Sequence, residues 1–279
     1  MTTAELLASA RAALKRSSST PNLDAEVLLA HALKSFRSSL LAHPERVPSS
    51  AEQQAFEFLL NARCNGQPIA YLIGQREFWS LALKVTPATL IPRPETELLV
   101  EQSLQLELHT RAARILDLGT GSGAVALALA TERPAWAITA TDISPATLAV
   151  AAQNAATFGI HNVEFLQGDW YAPVSRRRFE LIVSNPPYVA SDDPHLQSGD
   201  PRFEPVQGLD GGPDGLTAIR QIVQHAKDHL LPNATLLLEH GQSQAPAVRT
   251  LLLATGFENV HTLRDLPGSE RVSSGTLTA

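Results

Sequence analysis

The stretch Asp117-Leu118-Gly119-Thr120-Gly121-Ser122-Gly123 decides the fold. It closes the apolar run Arg114 to Leu118, which reads as a strand, and opens Gly123 to Thr131, which reads as a helix. Glycine has no Cβ, so glycines at this junction let the backbone turn tightly and approach a ligand closely. In open α/β sheets such a ligand lies beyond the carboxyl ends of the strands. A tight strand-to-helix turn without a ligand is the competing reading of these residues alone.

Asp142 sharpens the first reading. It ends the next strand candidate, Ala137 to Thr141, about 20 residues further on, where a carboxylate can accept both ribose hydroxyls. Capping the helix that starts at Ser144-Pro145 is its alternative role, and Ser144 can do that instead. No arginine beside Asp142 suggests a 2′-phosphate, so the expected ligand carries an unphosphorylated adenosine-type ribose. Gly168-Asp169-Trp170 follows the third strand candidate, Val163 to Leu166. The acid could accept from an adenine amino group and Trp170 could flank the base. Taken alone, a turn aspartate and a partly buried tryptophan are the simpler reading.

Ser184-Asn185-Pro186-Pro187-Tyr188 ends the fourth strand candidate, Phe179 to Ser184. Consecutive prolines cannot continue a sheet, and they hold the chain at fixed φ. The Asn185 side-chain carbonyl and the Pro186 backbone carbonyl can together accept both protons of one planar NH₂ group. Tyr188 offers that group a flat face. The remaining candidates are strands at Thr235 to Glu239 and Asn259 to Leu263, and helices at Pro145 to Thr157, Leu216 to Leu230 and Ser243 to Thr255. Strand–helix alternation of this kind implies a doubly wound parallel sheet.

Residues 1 to 74 read differently, as a small helical bundle. Leu6, Leu7, Ala10, Ala13 and Leu14 keep helical spacing, Thr20-Pro21 and Ser49 or Ser50 mark helix starts, and Asn65-Gly66 marks an end. Residues 75 to 95, with Pro87, Pro92 and Pro94, read as a hairpin or extended linker, and the α/β domain occupies 96 to 279.

Composition excludes several classes of function. The chain has 279 residues, enough for two domains, and 44% hydrophobic with 18% charged residues is a globular balance. Aromatics at 5% argue against a base-stacking platform, and a net charge of −6 leaves no basic footprint for nucleic acid. The single cysteine, Cys64, excludes an internal disulfide and a cysteine-cluster metal site. No run approaches the ~18 apolar residues of a membrane span, and Met1-Thr2-Thr3-Ala4-Glu5 does not begin a signal peptide. A soluble cytoplasmic protein is expected.

Together these residues resemble the class I S-adenosylmethionine-dependent methyltransferases. Asn185-Pro186-Pro187-Tyr188 resembles the motif shared by enzymes that methylate adenine N6, guanine N2 or glutamine N5. Ile91-Pro92-Arg93-Pro94-Glu95-Thr96-Glu97, Arg202-Phe203-Glu204-Pro205, Gly215-Leu216 and Asp265-Leu266-Pro267-Gly268 with Arg271 resemble one branch, the bacterial release factor glutamine methyltransferases (the HemK/PrmC family). So does the Leu23-Asp24-Ala25-Glu26 segment of the bundle.

The resemblance implies a Rossmann-like domain with a mostly parallel seven-stranded sheet, preceded by a helical bundle that docks the substrate. It implies methyl transfer from S-adenosylmethionine to the glutamine of the Gly-Gly-Gln tripeptide in class 1 peptide chain release factors, by a monomeric enzyme without metal. Gly119, Thr120, Gly121, Ser122, Gly123, Asp142, Trp170 and Asn185 would contact the cofactor. Asn185, Pro186 and Tyr188 would be catalytic, and together with Pro187 would hold the substrate amide. Arg93, Glu95 and Glu204 are substrate-channel residues or a local ion pair. Gly208-Leu209-Asp210-Gly211-Gly212 has no role on this reading. The alternative is a nucleobase amino-methyltransferase, which the missing basic surface disfavours.

Overall fold

Local rules set the helices at the amino-terminal end of the computed structural model, which describes residues 1–108 and 112–278. Thr2 caps α1 (Thr3–Leu14): its hydroxyl accepts from the Glu5 amide at 3.3 Å, and the Glu5 carboxylate accepts from the Thr2 amide at 2.8 Å. Ser49 and Glu52 repeat this reciprocal cap at α4 (Ser50–Cys64). Between them lie α2 (Pro21–Ala32) and α3 (Arg37–Ala42), and α5 (Ile69–Ile73) follows. Pro21 begins α2 as expected, but the Thr20 hydroxyl donates to Asp24 and caps no backbone amide.

The chain divides into two compact units, residues 1–75 and 76–279. Leu6, Leu7, Ala10, Leu14, Leu28, Leu29 and Phe56 share the core of the first. Ala13, expected on this face, is exposed. Asp24 is buried and held by Arg63 at 2.8 Å, an arrangement that fits the general need of a buried charge for a partner.

A short hairpin, β1 (Gln75–Phe78) and β2 (Leu81–Lys84), starts on the last residue of the first unit, opens the second and leads to α6 (Glu97–Gln105), a helix not foreseen between the linker and the first strand. There follow β3 (Arg114–Leu118), α7 (Ala124–Glu132), β4 (Ala137–Asp142), α8 (Pro145–Thr157), β5 (Val163–Gln167) and β6 (Phe179–Ser184). The rest is α9 (Thr217–His229), β7 (Leu230–Glu239), α10 (Ala245–Ala254), β8 (Glu258–Arg264) and β9 (Glu270–Leu277).

Seven strands form one sheet in the order β5-β4-β3-β6-β7-β9-β8. The pairs from β5 to β7 are parallel, and β9 is antiparallel to both neighbours. Side chains of a strand alternate between faces. Accordingly Ile115 joins the core containing α6 and α7, while Leu116 and Leu118 join the core containing α9 and α10. The sheet is covered on both faces, as a doubly wound parallel sheet requires.

β9 is the strand absent from the sequence reading. Its interior, Ser273-Ser274-Gly275, is polar and small, yet Ser273 and Ser274 are buried. The place of Gly275 explains its composition: a Cβ there would lie 3.0 Å from the Phe257 Cβ, so the ring of Phe257 fills the space a side chain would take.

Candidate active site

The sheet register gathers the motifs at one edge. Leu118 lies opposite Thr141 of β4 and opposite Ser184 of β6, and Asp142 lies opposite Gln167 of β5. The residues that follow these, Gly119, Asp142-Ile143, Gly168 and Asn185, therefore leave the sheet side by side. The chain runs from β3 to β4 on one side and later places β6 on the other. This is the reversal point where open α/β sheets bind ligands.

Gly119, Gly121 and Gly123 all have positive φ, at 72°, 58° and 86°. This is the left-handed region that glycine enters without steric cost. Amides of Gly119 and Thr120 both donate to the Thr141 carbonyl at 2.9 Å. The Gly121 amide donates to Asp142 Oδ2 at 3.1 Å, and the Ser144 amide donates to Asp142 Oδ1 at 2.9 Å. Burial pushes the Asp142 carboxyl above its usual range, against these amides. Ser144 also caps α8, accepting from the Thr147 amide at 3.2 Å. Asp142 is thus free of the capping role that competed for it.

Glycine-loop side chains mostly turn inward. The Thr120 hydroxyl donates to Asp117 Oδ2 at 2.7 Å. Burial raises the Asp117 carboxyl to about 6. The Ser122 carbonyl accepts from Asn154 at 2.9 Å, and Gly123 starts α7 packed against Leu127.

A cavity of about 490 Å³ opens at this edge. Of the expected residues, Gly119, Gly121, Asp142, Asp169, Trp170, Asn185 and Pro187 line it. Thr120, Ser122, Gly123, Pro186 and Tyr188 are not among its lining residues, nor are Arg93, Glu95 and Glu204. Trp170 has φ 43° and donates its indole N–H to Gln221 at 3.0 Å, which fixes the ring beside Gly119.

Several lining residues carried no sequence signal. Leu90 and Ala88 come from the proline-punctuated linker, and Ile143 follows the acid. The wall built by Pro205, Val206, Gln207 and Gly208 comes from a loop of short 3₁₀ turns.

Asn185 donates its Nδ2 to Thr96 Oγ1 at 3.0 Å. Its Oδ1 and the Pro186 carbonyl take no hydrogen bond from the described residues. Tyr188 donates its hydroxyl to Glu239 Oε1 at 3.3 Å, and its backbone carbonyl accepts from Gln244 at 2.9 Å. The loop at 208–215, without a role in the sequence reading, braces this segment. A Cβ on Gly211 would lie 2.8 Å from the Pro187 carbonyl oxygen, and one on Gly215 2.3 Å from that of Tyr188. Only glycine lets the two backbones pack this closely.

Arg93 and Glu204 form an ion pair, and Glu204 also accepts from the Ile91 amide at 3.0 Å. The Glu204 side chain is fully buried, so the pair ties the linker to the cavity wall. Glu95 is half-buried next to Thr96 and close enough to Glu239 to raise its carboxyl. His195 is exposed on Asp193, away from the cavity lining.

Residues 5–74 match the PrmC N-terminal domain family, and residues 94–199 match the Methyltransferase small domain family. The chain is 50% identical over 253 residues to a release factor glutamine methyltransferase of Xylella fastidiosa, covering 91% of this chain and 92% of that one. The chain belongs to the release factor glutamine methyltransferase family. A Salmonella typhimurium member is 48% identical over 263 residues, covering 94% and 95% of the two chains. Among solved structures, a methyltransferase from Pyrococcus furiosus has the same fold, with a TM-score of 0.55 at 19% identity over 71% of this chain and 90% of that one.

Proposed function

We propose that this protein transfers the methyl group of S-adenosylmethionine to the side-chain amide nitrogen of the glutamine in the Gly-Gly-Gln tripeptide of class 1 release factors. The observation that carries this reading is the pair of free acceptors, Asn185 Oδ1 and the Pro186 carbonyl, on a rigid loop beside a nucleoside-sized cavity. Near-identical length and about half identity to relatives named for this activity support the choice of substrate.

The residues present fit the cofactor. At Gly121 a Cβ would meet nothing within 4 Å, so the backbone stands open where a ligand approaches. Each Asp142 oxygen accepts one backbone amide and keeps a lone pair for a ribose hydroxyl. Trp170 and Asp169 also line the cavity, where they would flank an adenine ring. When bound, S-adenosylmethionine supplies an electrophilic methyl group.

An amide nitrogen is a weak nucleophile, because its lone pair is shared with its carbonyl. Asn185 Oδ1 and the Pro186 carbonyl each accept one N–H and aim the nitrogen. As the nitrogen gains positive charge, both acceptors bind it more tightly, which favours the transition state over the ground state. Fixed placement of this kind can be worth about 7–11 kcal/mol. Pro186 and Pro187 lock the backbone, and the Tyr188 ring supports the planar amide. No general base is required if the proton leaves after transfer, so His195 has no part in the reaction.

The helical unit supplies the docking surface for the release factor in this proposal. Its exposed Phe36 and Phe58 are large apolar side chains with no core role. The protein acts in the cytoplasm as a monomer and reads no nucleic acid directly. Among the described residues no helix is long and apolar enough to cross a membrane. Incubation with radiolabelled cofactor and release factor, tRNA, rRNA or DNA tests the reading. Label enters the release factor; label on nucleic acid alone would overturn it in favour of a nucleobase substrate.

A further inference from the structure

Strand register sets Glu239 beside Asn185. β6 and β7 pair Ser184 with Leu238, so Asn185 and Glu239 leave the sheet as neighbours. Glu239 is only 1% exposed, and a carboxyl withdrawn from water needs hydrogen-bond donors. Tyr188 donates its hydroxyl to Oε1 at 3.3 Å, and the Thr96 hydroxyl lies near enough to the same carboxyl to hold it down. Oε2 has no partner. Thr96 is itself buried, and its Oγ1 accepts from Asn185 Nδ2 at 3.0 Å.

A hydroxyl has a single proton to donate. While that proton points at the Glu239 carboxylate, Thr96 can only accept from Asn185. The NH₂ of Asn185 must then face Thr96, and its carbonyl must face the cavity. A flipped Asn185 would set its NH₂ against the NH₂ of a substrate amide, donor against donor.

We propose that Glu239 and Thr96 are positioning residues that fix the polarity of the Asn185 side-chain amide, so that Oδ1 meets the substrate N–H. This rests on the role of Asn185 as an acceptor in the proposed reaction. Tyr188 shares the same carboxyl, so one buried acid orders both side chains of the Asn185-Pro186-Pro187-Tyr188 loop that frame the substrate nitrogen.

The lock depends on charge. Burial raises the Glu239 carboxyl to about 7, while Thr96, Tyr188 and Arg271 hold it down and Glu95 raises it further. Arg93 faces the same cluster from the Tyr188 side. Above about 7 the carboxylate can only accept. Below it, the protonated acid can donate to Thr96, whose own proton is then free to turn toward Asn185 Oδ1. Turnover at saturating substrate and cofactor therefore falls as pH drops through about 7.

The test measures kcat, KM for the release factor and cofactor Kd on the full chain, with Thr96→Val, Thr96→Ser and Glu239→Gln. Thr96→Val lowers kcat about tenfold, as loss of a hydrogen bond that matters only to the reacting arrangement predicts, while cofactor Kd stays within about twofold. Thr96→Ser restores most of the loss. Glu239→Gln lowers kcat and removes its fall near neutral pH. An unchanged kcat in Thr96→Val, or a Glu239→Gln enzyme that keeps the wild-type pH profile, would overturn the proposal. The Glu239→Gln profile decides alone if Thr96→Val does not fold. Active wild type with unaffected variants overturns this inference only, whereas inactive wild type overturns the proposed reaction with it.

Discussion

Replacing Asp142 with asparagine tests its part in cofactor binding. Both carboxylate oxygens already accept backbone amides, from Gly121 at 3.1 Å and from Ser144 at 2.9 Å. An asparagine must turn its NH₂ toward one of these N–H groups, so a donor faces a donor. An unsatisfied group of this kind costs about 1–3 kcal/mol, and a ribose hydroxyl loses a charge-assisted bond of about 1.5–3 kcal/mol. The first cost is present with and without cofactor and lowers stability, so the affinity loss follows the second alone, about 2 kcal/mol or ~30-fold in cofactor Kd.

Calorimetric titration with S-adenosylhomocysteine reads that affinity directly. At saturating cofactor, kcat should stay within about threefold of wild type, because the asparagine alters binding and not the reacting arrangement. Burial raises the Asp142 carboxyl, and its ionised form is the one that accepts ribose hydroxyls. Wild-type affinity therefore weakens as pH falls through its raised range, and Asp142→Asn affinity does not. A variant that binds cofactor as tightly as wild type would refute the assignment of Asp142 to the ribose. So would a loss confined to kcat.

Asn185→Ala removes one of the two acceptors on the amide. A loss of ~10²–10³ in kcat is expected from steady-state kinetics, with a far smaller change in cofactor Kd. Gly215→Ala sets a Cβ 2.3 Å from the Tyr188 carbonyl at a φ of 71°, so thermal melting should fall and activity with it, because the brace under the catalytic loop shifts. Asp117 concerns stability alone. Its folded carboxyl stays protonated to about 6, while the unfolded one ionises near 3.8, so its contribution is present below the lower value and lost as pH rises through the upper. Denaturant titration should show Asp117→Asn with a flatter stability profile across that window.

The four loop motifs and most of the sheet were legible because each rests on local rules. Gly119, Gly121 and Gly123 all need positive φ, Asp142 ends an apolar strand, and Pro186-Pro187 stops another. β9 was not legible, because Ser273, Ser274 and Gly275 carry no apolar pattern along the strand, and Gly275 is small because Phe257 packs where its side chain would stand. α6 was hidden by the prolines before it, although it starts directly after Thr96. Contacts between distant segments lie beyond any reading of spacing. Thr96 to Asn185 spans 89 residues, and Arg93 to Glu204 spans 111. The motif Ile91 to Glu97, notable in sequence only by resemblance, proves to be a brace. Ile91 and Arg93 hold Glu204, Thr96 holds Asn185, and Glu97 accepts from the Trp79 amide at 2.9 Å.

The measurement closest to the central claim is fragment mass spectrometry of the Gly-Gly-Gln peptide of a class 1 release factor. The peptide is taken after the intact factor has been incubated with this protein and S-adenosylmethionine. The account predicts a gain of one CH₂ unit located on the glutamine side chain, and no gain with Asn185→Ala over the same interval. A gain on another residue, or an unmodified peptide in the presence of bound cofactor, would contradict it.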